Sequence, residues 1–142
     1  MKIKIISALG IVGGAVSQIL GGWESSLVTL LIFMGCDYIT GLLVAGVFHS
    51  SRKTENGALE SRAGLKGLIR KGAMLLMVLI AYRLDLLAGT TMIKDAVCIA
   101  LCVNEGLSII ENVGLMGVKY PPVLVKALEM LQKEANTDDI RN

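Results

Sequence analysis

The sequence predicts an all-α integral membrane protein. It has four transmembrane helices, three being the alternative count, with an amphipathic basic interfacial helix and a C-terminal amphipathic helix on the cytoplasmic side. Three observations predict it. Only 18% of the 142 residues are charged while 54% are hydrophobic, whereas a water-soluble domain keeps roughly a quarter of its residues charged. The apolar residues gather in four runs, at about 3–22, 27–48, 72–90 and 93–114, each near the ~20 residues that a helix needs to cross ~30 Å of hydrocarbon. The basic residues are sorted to one side of those runs, as membrane topology requires. This composition argues against a disordered tail, a nucleic-acid binder and a secreted disulfide scaffold.

Inside lipid a backbone must satisfy its own hydrogen bonds, so each run is expected to be a helix. The first run follows Lys2 and Lys4 and carries no charged face. A secretory signal begins the same way, and Ala15-Val16-Ser17 is a passable cleavage triplet, but a retained span is the expectation. The second run, Leu27 to Phe48, holds one ionisable side chain, Asp37, and stops at His49-Ser50-Ser51-Arg52-Lys53. In the connection that follows, Ser61 to Lys71 places Leu65, Leu68 and Ile69 opposite Arg62, Lys66 and Arg70, the pattern of a helix at headgroup level. It leads into the third run, and a Gly89–Thr91 turn leads into the fourth. Pro121-Pro122 then opens a helix whose stripe is Leu124, Ala127, Leu128 and Leu131, against Lys126, Glu129, Lys133 and Glu134. The polar tail 136–142 is expected to fray.

The basic connection at 49–71 sets the direction. It holds Arg52, Lys53, Arg62, Lys66, Arg70 and Lys71 against Glu55 and Glu60, whereas the Gly21–Ser26 turn carries Glu24 alone. Basic loops stay in the cytoplasm. With four spans both termini fall on that side, and of the fourteen basic residues only Arg83 and Lys94 lie elsewhere. The chain thus divides into a membrane domain, 1–118, and a cytoplasmic helix and tail, 119–142.

Ionisable groups within spans are costly and turn toward protein or water, which singles out Asp37, Arg83, Asp85, Glu105 and Glu111. At about 1.5 Å per residue from the outer ends, Asp37, Arg83 and Glu105 fall within about one turn of each other in depth. The expected pairs are Arg83 with Asp37 or Glu105, and Asp85 with Lys94. One deep carboxylate is then left to be protonated, hydrated or paired across a subunit boundary. Asn104, Glu105, Ser108, Glu111 and Asn112 share one face of the fourth run, and Asp37, Thr40 and Gly41 share one face of the second. Such faces suit a wet pore or an interface between copies. Gly10, Gly14, Ser17 and Gly21 in the first run, and Gly41 with Ala45 in the second, allow close helix packing, within one copy or between copies.

No enzymatic motif is present in the sequence: there is no HExxH, no GxSxG and no phosphate-cradling glycine loop followed by Lys and Ser/Thr. Cys36, Cys98 and Cys102 lie in apolar runs, and the single histidine, His49, is remote from the last two. They read as packing residues, and no cofactor or metal is expected.

The stretch Cys36-Asp37-Tyr38-Ile39-Thr40-Gly41, the basic segment Ser61–Lys71 with Gly64 and Gly67, and Asn104-Glu105-Gly106-Leu107-Ser108-Ile109-Ile110-Glu111-Asn112 with Pro121-Pro122 together resemble the toxin-secretion/phage-lysis holin family (phage holin family 4). The likeness covers about residues 33–132. It implies a small protein that accumulates in the bacterial inner membrane and assembles into lesions, through which an endolysin or a large toxin crosses. The partners implied are further copies of the chain, membrane lipid and an endolysin that forms no stable complex with it, with an antiholin as an optional restraint. The competing reading is a small four-helix proton-coupled cation exporter or ion channel, in which a buried acid such as Glu105 alternates between proton and cation. A third is a non-conducting scaffold or antagonist.

Overall fold

The computed structural model describes residues 1–138, which form five helices: α1 (Lys2–Ile19), α2 (Ser25–Gly46), α3 (Ser61–Ala88), α4 (Met92–Leu115) and α5 (Pro122–Asp138). Of the tail expected to fray, 136–138 is instead the last turn of α5, and 139–142 lie outside the described residues. α4 is the centre of the bundle, packing against α2, α3 and α5. Leu27, Leu30 and Met34 of α2, Val78 of α3, and Cys98 and Cys102 of α4 close the core together with Leu20.

Polar contacts at both ends fix the relative direction of α2 and α4. At one end the Ser26 hydroxyl donates to Asp95 at 2.6 Å. At the other the Asn112 amide donates to the Thr40 hydroxyl at 3.0 Å. The two helices therefore run parallel, and α3, which joins them, must return along their whole length. α1, α2 and α4 are long and apolar enough to cross a membrane. α3 has 28 residues but bears Lys71, Arg83 and Asp85 in its apolar part and is not apolar enough to cross by composition; a bilayer crossed by both α2 and α4 would have to be crossed back by α3. Nothing breaks the helix at Arg70-Lys71-Gly72, and the basic segment is the N-terminal part of α3 rather than a separate helix.

The turn into α4 is closed by Asp85. Its carboxylate accepts the Thr90 hydroxyl at 2.5 Å and the backbone N–H groups of Ile93 and Lys94 at 3.0 and 2.8 Å. Those amides belong to the first turn of α4, where no intrahelical partner exists. The expected side-chain pair of Asp85 with Lys94 is thereby corrected: Lys94 Nζ reaches Glu24 at 3.3 Å instead.

α1 stands apart, with no buried residue. The turn after it is anchored by Leu20 in the core and by Gly21, at φ +84°, where a Cβ would lie 2.5 Å from the Tyr82 ring. Gly21 is thus a turn glycine and not part of a helix-packing stripe. Past Gly117 and Pro121, α5 doubles back along α4, and Leu128 and Phe33 both close on Gly106. Of the expected stripe only Leu128 is buried, while Leu124, Ala127 and Leu131 are exposed. The half-buried Val125 and Ala135 turn the contact face by about one residue.

Candidate functional site

Three helices bring one cation and two carboxylates together inside the bundle. Lys71 Nζ of α3 lies 2.8 Å from Asp37 Oδ2 of α2 and also donates to Glu105 Oε2 of α4. The side chains are 13%, 8% and 5% exposed for Lys71, Asp37 and Glu105 respectively. The Asn112 amide donates to the second Asp37 oxygen, Oδ1, at 3.2 Å and to the Thr40 hydroxyl. Thr40 in turn donates to the Cys36 carbonyl at 2.9 Å, and Ser108 adds a hydroxyl beside Asp37. Asn112 lies beside Gly41, where an added Cβ would be in ordinary contact with its amide at 3.8 Å. Among the described residues no buried side-chain nitrogen or oxygen lacks a hydrogen-bond partner. Such completeness is what allows ionised groups to remain in a low-dielectric interior.

Arg83 is the cation expected here, and the structure corrects this to Lys71. The buried face of α3 runs through Lys71, Val78, Ala81 and Asp85 at helical spacing. Arg83, two residues from both Ala81 and Asp85, is rotated about 200° from each and is exposed. Lys71 belongs by sequence to the solvated basic segment, yet its place in the 71–78–81–85 stripe is visible there too. The remaining polar residues sit at the edge: Asn104 is exposed, and Glu111 pairs with Arg52 at 3.0 Å in solvent. Gly10 and Gly14 are open, since a Cβ added at either would meet nothing within 4 Å. Ser17 is half-buried, and Ala45 is buried. One close approach is not signalled by the sequence, that of Leu128 to Gly106.

Above the cluster opens a cavity of about 710 Å³, walled by α2, the N-terminal part of α3, α4 and the loop after α2. Asp37, Lys71 and Glu105 line it. Of the other basic residues in the connection, Arg52, Lys53, Lys66 and Arg70 line this cavity and Arg62 does not.

Fold and site define a helical membrane protein whose bundle encloses a satisfied ion cluster. The chain belongs to the bacteriophage holin family, which it matches over residues 14–133. It is 30% identical over 106 residues to a probable holin of Bacillus phage phi105, covering 74% of this chain and 73% of that one. An uncharacterized protein of Listeria monocytogenes is 37% identical over 139 residues, covering 96% of this chain and 94% of the relative. One from Clostridium perfringens is 35% identical over 138 residues, covering 94% of this chain and 96% of the relative. No solved structure matches the chain.

Proposed function

We propose that the protein is a holin that assembles in the bacterial cytoplasmic membrane, with both termini inside, into lesions that dissipate the potential and release an endolysin or a large toxin. The observation that carries this reading, beside family membership, is the cluster of Lys71, Asp37 and Glu105 held between three helices. While copies are dilute, each bundle keeps its ions and amides inside. Above a critical density the faces bearing Asp37, Thr40, Glu105, Ser108 and Asn112 turn toward water or neighbouring copies. α1, which has no buried residue, offers Gly10, Gly14 and Ser17 for close contact between copies. Loss of potential is a natural trigger, because moving one charge through 100 mV is worth ~2.3 kcal/mol and many copies act together.

The test is induction in a bacterium with and without a cytoplasmic muralytic enzyme that has no export signal. Abrupt killing after a delay, with lysis only when the enzyme is present, supports a holin. The cavity leading to two carboxylates favours, as a second reading, a cation exporter or channel. Unchanged potential together with cation resistance would establish an exporter instead.

A further inference from the structure

The cavity over the ion cluster has a use that the cluster does not exhaust. Its wall carries Arg52, Lys53, Lys66, Arg70 and Lys71 against Asp37, Glu60, Glu105 and Glu111, leaving one excess positive charge. Lys71 is committed to Asp37 and Glu105 inside the bundle, and Arg52 to Glu111 at its exposed edge. Lys53 lies within the field of Asp37. Lys66 and Arg70, one turn apart on α3, have no carboxylate partner among the described residues and are exposed. α3 also begins here, its N-cap residue Glu60 makes no side-chain capping bond, and a helix N-terminus carries partial positive charge. The rest of the wall mixes apolar side chains, among them Leu42, Met74 and Leu107, with the hydroxyls of Ser51, Thr54 and Ser108 and the Asn104 amide.

From this we infer that the cavity is a binding site for the phosphodiester headgroup of an anionic phospholipid. A monoanionic phosphodiester brings the wall to neutrality, which a phosphate dianion would overshoot. The apolar side chains suit the start of an acyl chain. The volume of about 710 Å³ falls in the range of roughly 300–1,000 Å³ typical of ligand sites. Basic pockets at the cytoplasmic ends of spanning helices are suited to such headgroups. The inference rests on the membrane reading proposed above.

The experiment is lipid retention measured by native mass spectrometry. The full chain is extracted from vesicles of equal phosphatidylglycerol and phosphatidylcholine, with and without millimolar inorganic phosphate. The chain is expected to retain phosphatidylglycerol preferentially. Lys66→Gln and Arg70→Gln should each lower the preference roughly fivefold, whereas Arg62→Gln, outside the cavity, and the charge-keeping Lys66→Arg should preserve it. Far-ultraviolet circular dichroism identifies a variant that has not folded, and Lys53→Gln on the loop then takes its place, with a lowered preference expected. Absence of preference, equal loss in Arg62→Gln, or displacement by inorganic phosphate would overturn the lipid site. These outcomes are distinct from failure of the holin reading, because insertion and lysis are scored separately from headgroup retention.

Discussion

Lys71 decides the state of two carboxylates at once. Removing it leaves Asp37 and Glu105, at 8% and 5% side-chain exposure, without their cation, and breaking a buried pair costs about 3–5 kcal/mol. Lys71→Met should therefore destabilise the bundle by that order in denaturant titrations of detergent-solubilised protein. The single changes Asp37→Asn and Glu105→Gln each leave Lys71 one carboxylate, so each should cost less than Lys71→Met. The double change strands the ammonium and should approach it. Equal costs for all four variants would refute the shared-cation arrangement. In cells either single change should shift the onset of lysis. The carboxylates themselves are legible in the sequence, because an acid in an apolar run has few explanations. Their partner is harder to read. Depth alone favours Arg83, and only helical phase, carried across the boundary between the basic segment and the third run, excludes it in favour of Lys71.

At the scale of the element, helix ends and close approaches carry the specificity. Asp85 supplies α4 with its cap from the preceding helix. Asp85→Ala should lower stability by about 1–2 kcal/mol, with Asp85→Asn intermediate because one acceptor oxygen survives; thermal unfolding monitored by circular dichroism checks the order. Gly106 admits α5, since a Cβ there would come within 2.9 Å of Leu128. Gly106→Leu should displace α5 and raise labelling of a cysteine placed at Ala135, while Gly10→Leu, where nothing lies within 4 Å, should leave that labelling unchanged. Element existence is readable from run length and hydropathy, and α2 falls at 25–46 against an expected 27–48. The docking face of α5 is not readable, because an amphipathic stripe fixes which residues are apolar and not which of them finds a complementary notch.

For the whole molecule, parallel α2 and α4, with α3 and α5 also packed on α4, make one unit, to which α1 is attached at one end. Such a unit can hold its ions in isolation and still present an uncovered helix to neighbours, which is the physical basis of the proposed density-dependent assembly. The expected crossing by α3 rests on a different ground from the one that run length suggests: its charges make it less apolar than α1, α2 and α4, and only the parallel course of α2 and α4 calls for its return. Family membership is signalled by three spaced segments and is carried by residues 14–133. The most direct measurement is release of protein-sized fluorescent dextran from vesicles as the protein-to-lipid ratio rises. Release that is absent at low ratio and climbs steeply beyond a threshold is the predicted result. A chain that stays monomeric and retains dextran at every ratio, or that leaks only small ions in proportion to its amount, would contradict the account.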